Sequence, residues 1–394
     1  MKKFLLATLI VSTFISLASA QRSPVTLMQL GKLTESNGSA GDEFGYYAAI
    51  SGDTAVINRY YNPTDGASMA VDVFVKGSSG WQNMTPTATL AGSDGSVEFY
   101  GVAISGNTVV ALGFDTSTQT GGTYVFVKPA GGWIGTVTET AVIGVSDYVN
   151  ISGDTILIGG SGLYDVFVKP AGGWKNTSTP NATLAVPFIS QYYESMAIGG
   201  NTIVIGESGN FGYQGTVYVY SKPAGGWRGT LNPTATLLAS NAHPNDYLGS
   251  SVAVSGNTIV AGAVGVNQLA GAVYVYVEPS GGWVDMDETA ELTGSSTFEL
   301  GYSVGISGNA VVAGAPYTTV DFNQFQGAAY VYLKPTGGWK STSTPTAELT
   351  AGDGAAGTDL GWKVGISGGA ILATAPYASI GLNGAEGAAY VFGK

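Results

Sequence analysis

The chain has 394 residues, a formal net charge of −12, 60 glycines and no cysteine. Without cysteine it can form no disulfide bond, thiol nucleophile or cysteine-ligated metal site. Its fifteen Lys and Arg residues are too few and too dispersed for a nucleic-acid partner. His243 is the single histidine, which excludes a histidine-based catalytic triad and a two-histidine metal site. The composition leaves an acidic binding or scaffold protein, or an enzyme that works with carboxylates.

The first twenty residues have the pattern of a signal peptide. A lysine pair at positions 2–3 precedes an apolar run at 4–17, and small residues at 18–20 form the cleavage site. The apolar run is too short for a comfortable membrane span. We therefore predict cleavage near Ala20 and a single mature domain over residues 21–394. The protein is expected to be secreted, at the cell surface or in the periplasm, with no membrane span.

A short motif recurs seven times and divides the chain into units of 47 to 60 residues. It consists of Ile or Val, then Ser or Gly, then Gly, followed by Asn, Asp or Gly. A second motif, Gly-Trp, ends six of the units. The central glycines of the first motif are Gly52, Gly106, Gly153, Gly200, Gly256, Gly308 and Gly368, and the tryptophans are Trp81, Trp133, Trp174, Trp227, Trp283 and Trp339.

Each unit is predicted to form four short antiparallel strands, named a to d in chain order. The segments are rich in Val, Ile, Tyr and Thr and are bounded by Gly, Pro, Asn and Asp. Strands a and b are joined by two residues such as Gly256-Asn257, which suit a type II′ hairpin turn. Four strands every ~50 residues are typical of a propeller blade. The clearest strands are 251–255 for a, 258–263 for b, 272–277 for c and 234–239 for d.

The seventh unit contains strands a to c only and ends with strand c at residues 390–392. Residues 30–34, near the other end of the chain, resemble strand d of the sixth unit at 347–350. We therefore predict an all-β fold, a seven-bladed β-propeller of four-stranded blades in which the N-terminal strand completes the last blade. Joining the two termini in one sheet removes an open edge.

The repeated unit resembles the FG-GAP repeat of integrin α-subunit-like seven-bladed propellers. The Phe-Gly element is literal at Phe44 and becomes Leu-Gly at Leu248, Leu300 and Leu360; the Gly-Ala-Pro element is literal at 314–316. The resemblance implies a propeller that recognises an extracellular protein or glycan, or serves in adhesion. Many members carry a DxDxDG calcium loop between strands a and b, and no such sequence occurs here. Calcium binding is therefore not carried over, and no metal or cofactor is expected.

Units 3 and 4 depart furthest from the pattern. Val145-Ser146 and Tyr192-Tyr193 stand where Phe-Gly is expected, and the b–c loop of unit 3 is shortened to residues 159–163. We expect the ring of blades to be less regular there.

Residues that recur in every unit are interpreted as structural, and unit-specific residues as functional candidates. The serine of the first motif and the tryptophan of Gly-Trp fall in the structural class. The b–c and d–a loops leave a propeller on the same face, so unit-specific aromatic and charged residues there favour recognition. The predicted ligand-binding residues are Arg59, Tyr60, Tyr61 and Asp65 in the first b–c loop, Tyr317, Phe322 and Phe325 in the sixth, and Trp362 in strand a of unit 7.

The leading hypothesis is an exported, non-catalytic and monomeric propeller that binds a protein or glycan on its b–c/d–a face. The alternative is a carboxylate-based hydrolase or lyase acting on polysaccharides, since two suitably spaced carboxylates can cleave a glycoside. The loop acids considered for that chemistry are Asp65, Asp115, Asp321 and Asp353. Carboxylates that precede the Phe-Gly position are interpreted as loop caps, with acid–base chemistry or cation binding as the alternative: Asp42, Glu43, Asp246, Glu299 and Asp359.

Overall fold

The computed structural model describes residues 26–60, 69–160, 162–188 and 194–394. These residues form seven sheets, and each contains the four antiparallel strands of one blade in the spatial order d-c-b-a. Strand a of every blade contacts strand a of the next, and the ring closes from blade 7 to blade 1. The predicted seven-bladed β-propeller is confirmed. The segment predicted to be a signal peptide lies outside the described residues.

Every blade contributes one strand of each kind, a to d. In order from blade 1 to blade 7, strands a are Ala48–Ser51, Val97–Ser105, Tyr148–Ser152, Glu194–Gly199, Leu248–Ser255, Ser303–Ser307 and Val364–Ser367. Strands b are Thr54–Asn58, Thr108–Asp115, Thr155–Gly160, Thr202–Glu207, Thr258–Ala263, Ala310–Ala315 and Ala370–Ala375. Strands c are Val71–Val75, Thr120–Val127, Leu163–Val168, Val217–Ser221, Ala272–Val277, Ala328–Leu333 and Ala388–Gly393. Strands d are Ala88–Ala91, Ala141–Ile143, Ala182–Leu184, Ala235–Leu238, Ala290–Leu292, Ala347–Leu349 and Met28–Leu33.

Two helical turns of four residues, Asn210–Tyr213 and Val266–Leu269, occupy the b–c loops of blades 4 and 5. Their central residues have left-handed dihedral angles, for example φ 52° and ψ 49° at Asn267. Among the described residues, no helix is long and apolar enough to cross a membrane.

The N-terminal strand closes the ring as predicted. Met28–Leu33 pairs antiparallel with Ala388–Gly393 and becomes the outer strand of blade 7. Leu33 lies opposite Ala389, as Leu349 lies opposite Ala329 in blade 6. Blade 7 therefore joins the two ends of the described chain by main-chain hydrogen bonds.

Glycines of the two repeated elements bring neighbouring blades into backbone contact. Gly361, in the Leu-Gly element of blade 7, lies against Gly314, in the Gly-Ala-Pro element of blade 6, and a Cβ atom on Gly314 would collide with the carbonyl oxygen of Gly361. One blade earlier, a Cβ atom on Gly301 would lie 2.6 Å from the carbonyl oxygen of Ala272. Gly361 also has φ +96°, which residues with side chains rarely adopt. The spacing between blades therefore requires glycine in both elements.

The tryptophan of Gly-Trp fills the space between two blades. The six tryptophans are 2–7% exposed. Trp283 of blade 5, for instance, belongs to one apolar cluster with Val219 of blade 4 and Ile259 of blade 5. Within the described chain, the six indole N–H groups have no hydrogen-bond partner. Their contribution to stability is therefore apolar burial rather than hydrogen bonding.

The residues after each tryptophan run along the outer strand of the preceding blade. Gly135–Thr138, Gly229–Leu231 and Met286–Asp287 add a fifth, parallel strand to blades 1, 3 and 4. Single parallel bridges take the same place at Leu33 with Met84, Ile143 with Thr177, and Leu292 with Thr342. This pairing was not predicted from the sequence, because the segments are too short to have a strand pattern of their own.

The repeated serine links neighbouring blades at the a–b turns. The hydroxyl oxygen of Ser255 in blade 5 accepts a hydrogen bond of 3.2 Å from the N–H of Gly308 in blade 6. Equivalent bonds run to Ser51, Ser105, Ser152 and Ser367, at 2.8–3.1 Å. Blade 4 has Gly199 at this position and lacks the hydroxyl. The serine is thus used for inter-blade contact.

Substitution of Gly314 by Ala tests the contact between the two glycines. Gly314 does not have a positive φ, so the substitution adds no backbone strain of its own. We expect Gly314→Ala to lower the free energy of unfolding by about 2–3 kcal/mol, since the methyl group overpacks the interface between blades 6 and 7. Urea unfolding measures the change. Gly281→Ala, at a site with open space around it, serves as the control and should stay within about 0.5 kcal/mol of wild type. Equal effects of the two substitutions would contradict the contact.

Substitution of Trp339 separates packing from hydrogen bonding. We expect Trp339→Ala to cost about 3–5 kcal/mol of unfolding free energy, and Trp339→Phe less than about 2 kcal/mol, because only ring volume and no hydrogen bond is lost. Chemical denaturation of both variants gives the two values. A Phe variant as unstable as the Ala variant would show that the indole N–H contributes.

Candidate functional site

Aromatic rings from three adjacent blades meet around Trp362 on the b–c/d–a face. The ring centroids of Tyr46 and Tyr302 each lie 5.0 Å from that of Trp362, with Tyr377 at 5.8 Å and Tyr317 at 6.5 Å. Tilted and edge-on rings at these distances attract one another beyond their simple burial. Two further rings contact Tyr46, Tyr47 edge-on and Tyr60 by stacking. We call the whole group the aromatic vestibule: Tyr46, Tyr47, Tyr60, Tyr302, Tyr317, Trp362 and Tyr377.

The vestibule borders a cavity of about 670 Å³ at the centre of the propeller. Lys363 lines this cavity and also a second one of about 270 Å³ further along the channel, formed by residues of the a strands. Its Nζ lies 5.7 Å from the ring centroid of Tyr47, within the range of a cation–π interaction. Burial lowers the pKa of Lys363. Of the described residues that line the larger cavity, Lys363 alone is cationic.

The tyrosines of the vestibule present neutral hydroxyl groups. Burial, followed by the charges of neighbouring tyrosines, raises the pKa of Tyr47 to about 12. Burial and then Glu43 raise the pKa of Tyr377 to about 12. Burial, followed by the charge of Glu299, raises the pKa of Tyr317 as well. Near neutral pH these rings therefore offer apolar faces together with hydrogen-bonding hydroxyls.

Three carboxylates lie beside the vestibule because of the local backbone. Glu43, Glu299 and Asp359 each come directly before the Phe-Gly or Leu-Gly element and have left-handed φ values of 49°, 56° and 58°. Burial raises the pKa of Glu43 and of Glu299, and it raises the pKa of Asp359 to about 6. Asp359 can therefore carry a proton at mildly acidic pH, unlike an exposed aspartate.

The sequence-predicted ligand residues occupy different positions around this site. Trp362 is 8% exposed at its centre. Tyr60, which is 38% exposed, stacks on Tyr46 at 4.8 Å, and Phe325, 49% exposed, meets Tyr317 edge-on at 6.1 Å. Phe322, by contrast, is 99% exposed. Tyr61 and Asp65 lie outside the described residues.

Arg59 points into the interface between blades 7 and 1. Its Nε lies 3.5 Å from Glu35 Oε2 and 3.7 Å from Asp72 Oδ2, and both carboxylates are buried. Burial raises the pKa of Glu35 to about 9, against the opposing effect of Arg59. The guanidinium group is thus engaged by side chains of its own chain, and we do not include it in the vestibule.

The loop acids considered for catalysis are held in separate places. Asp115, in blade 2, accepts hydrogen bonds from Ser96, Ser117 and Thr118, and these bonds keep its pKa low. Asp353 accepts a hydrogen bond from the Tyr390 hydroxyl and forms an ion pair of 2.6 Å with the Lys32 ammonium group. Asp115 and Asp353 therefore serve local structure, in different blades.

Five residues of the site were not among the sequence candidates: Tyr46, Tyr47, Tyr302, Lys363 and Tyr377. A signal for three of them is present in the repeat. An aromatic residue follows the Phe-Gly or Leu-Gly element in units 1, 6 and 7, whereas unit 5 has Ser250 there; likewise a tyrosine follows Ala-Pro in units 6 and 7. A position-by-position comparison of the units would therefore have predicted Tyr46, Tyr302 and Tyr377.

The a–b turns do not fit a calcium loop. They contain two residues, and their acids form ion pairs where lysines are near, as Asp53 does with Lys76 and Asp154 with Lys169. Among the described residues no group of three or more His, Asp or Glu side chains could hold a metal ion. Calcium requires six to eight oxygen ligands, and we derive no role for it.

The family model of the FG-GAP repeat matches residues 27–74, 232–276 and 344–392. Each match runs from strand d of one blade to strand c of the next. The sequence has no match among curated proteins. Among solved structures, the fold is similar to the one titled "Crystal structure of Kluyvelomyces marxianus Hsv2", with 9% identity, 86% of this chain and 89% of that chain covered, and a TM-score of 0.42.

The raised pKa of Asp359 predicts a pH-dependent cost in stability. The folded chain holds this proton up to pH about 6 while an unfolded aspartate loses it near 3.8, so stability falls as the pH rises between those values. Asp359→Asn should therefore stabilise the protein at pH 8, by on the order of 1 kcal/mol because solvent screens part of the shift. It should have little effect at pH 3.5.

Urea unfolding at both pH values measures this difference. Asp115→Asn is the matched control and should act in the opposite direction at pH 8, since hydrogen bonds stabilise the charged form of Asp115. A destabilised Asp359→Asn variant at pH 8 would contradict the burial argument.

Proposed function

We propose that this chain, a seven-bladed β-propeller that contains FG-GAP repeats, is an exported and non-catalytic binding module. Its ligand is an extracellular glycan, held in the aromatic vestibule on the b–c/d–a face. The observation that carries the proposal is the convergence of Tyr46, Tyr302 and Tyr317 on Trp362 beside a central cavity. The predicted signal peptide supports the extracellular location.

The chemistry of the vestibule suits a sugar ring. Sugars have apolar C–H faces that pack on aromatic rings, and hydroxyl groups that need hydrogen-bond partners. The neutral tyrosine hydroxyls and the carboxylates of Glu43, Glu299 and Asp359 supply such partners around the cavity. Ligand sites commonly combine an apolar lining with a few polar groups in this way.

The shape of the site favours a small ligand over a folded protein. A cavity of about 670 Å³ lies within the range of roughly 300–1,000 Å³ for small-ligand pockets. A stable protein–protein interface needs about 800 Å² from each partner, and its contacts would have to reach far beyond the vestibule. Protruding side chains such as Phe322 could add such contacts, so a protein ligand is one outcome of the test below.

A second candidate function is glycoside hydrolysis, favoured by one observation. Asp359, with its pKa raised to about 6, has the property of a general acid in a glycosidase. Glu43 or Glu299 would then act as the second carboxylate. If this function holds, the purified protein hydrolyses a polysaccharide, and Asp359→Asn lowers the rate by at least about a hundredfold. Binding without turnover supports the binding module instead.

Removal of one ring at the cavity mouth tests the binding proposal. A glycan array on the purified chain selects ligands, and titration calorimetry measures their affinity. We expect Tyr46→Ala to weaken binding at least about tenfold, equivalent to about 1.4 kcal/mol, because the stacking surface beside Trp362 is lost. Addition of EDTA should leave the affinity unchanged.

Ile134→Ala provides the control, since Ile134 is exposed and lies beyond strand c of blade 2, on the opposite face. Its affinity should equal that of the wild type. No glycan binding, together with selective binding of a matrix protein that Tyr46→Ala abolishes, would replace the glycan by a protein ligand. Binding that Tyr46→Ala leaves unaltered would refute the vestibule as the site.

A further inference from the structure

The interface between blades 6 and 7 differs from the other six. In those six, a tryptophan of the Gly-Trp motif is part of the apolar cluster that joins two blades. The cluster between blades 6 and 7 contains Val331 and Ile371, the equivalents of Val219 and Ile259 beside Trp283, and contains no tryptophan. Leu27 packs against it and stays partly buried.

A cavity of about 580 Å³ opens at this interface and extends to blade 1, where Lys76 and Trp81 line it. Its lining includes Val331 and Leu333 of blade 6 and Ile366 and Ile371 of blade 7, so its walls are largely apolar. Ala310 also lines it. Two of these lining residues, Val331 and Ile371, are the equivalents of the residues that pack with the indole ring of Trp283.

The outer strand of blade 6 also lacks the segment that covers its counterparts. In blade 5, the N–H of Glu291 donates to Ser341 Oγ at 3.0 Å, and its carbonyl oxygen accepts from the N–H of Thr342 at 2.9 Å. Thr293 then donates to the carbonyl oxygen of Thr342 at 2.9 Å. Ser341 and Thr342 follow Trp339 by two and three residues, so the indole and the main-chain bonds come from one segment.

The equivalent groups of blade 6 belong to Glu348 and Thr350. Within the described chain no residue takes the place of Ser341 and Thr342 along this edge. Accordingly, Ala347 is only half-buried and Glu348 is exposed, whereas Ala290 of blade 5 is buried. Among the described residues, an apolar slot and a strand edge without a pairing segment therefore lie side by side.

We propose that this groove binds an extended segment of a partner protein that carries a tryptophan after paired glycines. The indole enters the slot, and the residues after it pair in parallel with Glu348 and Thr350. The other interfaces of the same fold define this ligand chemistry, because each accepts a Gly-Trp segment against equivalent residues and five of the six carry paired glycines. Addition of a strand to an open edge is a recurring mode of peptide recognition.

Other occupants fit the groove less well. A second copy of the chain has its six Gly-Trp segments buried in its own interfaces. Residues 1–25 contain no tryptophan and cannot supply the indole. A small apolar molecule could enter the slot, but it would leave the main-chain groups of the edge strand unpaired.

A peptide taken from the chain itself serves as the probe. The peptide of residues 335–344 contains the Gly-Gly-Trp motif and the residues that pair with blade 5. Titration calorimetry against the full chain should give saturable binding of one peptide per chain. Replacement of the tryptophan in the peptide by serine should weaken binding at least tenfold.

Two variants of the protein test the location. Ala310→Phe fills the slot, and Glu348→Pro removes the outward N–H on an exposed edge strand, where proline is tolerated. Each should weaken peptide binding at least tenfold while the far-UV circular dichroism spectrum stays that of wild type. Ile134→Ala, on the same face of the propeller at blade 2, should bind the peptide as the wild type does. Should Ala310→Phe fail to fold, Glu348→Pro still decides the question.

Three results would overturn the proposal. The first is no saturable binding up to about 1 mM peptide, which would also be found if another part of the chain fills the groove. The second is equal affinity for the serine peptide. The third is unchanged affinity in the folded variants, which would place the peptide elsewhere on the surface. None of these results bears on the glycan proposal, whose residues lie on the opposite face.

Discussion

The close backbone contact between adjacent blades is the constraint on which the rest of the structure depends. Gly314 of one blade touches Gly361 of the next, and neither position has room for a methyl group. Two adjacent blades are in backbone contact at these glycines. Farther from the glycines the two sheets diverge, and a large side chain is needed to fill the space between them. The tryptophan of Gly-Trp fills it in six interfaces. Glycine at one end of the sheet and tryptophan at the other thus follow from one geometry.

The same contact between blades fixes the position of the residues at the end of each d–a loop. Each Phe-Gly or Leu-Gly element is fixed to the preceding blade by a parallel bridge, such as that between Leu360 and Gly327. The residue that follows the element is therefore presented towards the centre of the ring at a constant position. In units 1, 6 and 7 that residue is Tyr46, Tyr302 or Trp362, and three neighbouring copies suffice to build an aromatic site. The repeat thus fixes the position of this residue in every blade, whereas the type of residue differs between units.

The sequence predicted the fold in detail because every blade carries the same restraints. Strands b and c of blade 5 begin and end at the predicted residues, and strand d of blade 7 was found by its likeness to 347–350. The short parallel strands such as Gly135–Thr138 were missed, since their pairing is set by the preceding blade rather than by local propensity. The site was predicted less completely. Trp362 was predicted correctly as a site residue because it is the one tryptophan outside the Gly-Trp series. Arg59 was also predicted to bind ligand, but its guanidinium group lies against the buried carboxylates of Glu35 and Asp72.

Both proposed sites lie beside the closure of the ring, in blades 6, 7 and 1. Both ends of the described chain belong to blade 7, where Met28–Leu33 pairs with Ala388–Gly393. The N-terminal strand supplies the outer edge of that blade, and no tryptophan precedes it in the sequence; the apolar cluster around Val331 and Ile371 contains none either. On the other face, the aromatic residues also come from the blades next to the closure. These blades keep the Phe-Gly or Leu-Gly element that sets the spacing between blades, so the aromatic residues of the vestibule vary at positions that this packing does not fix.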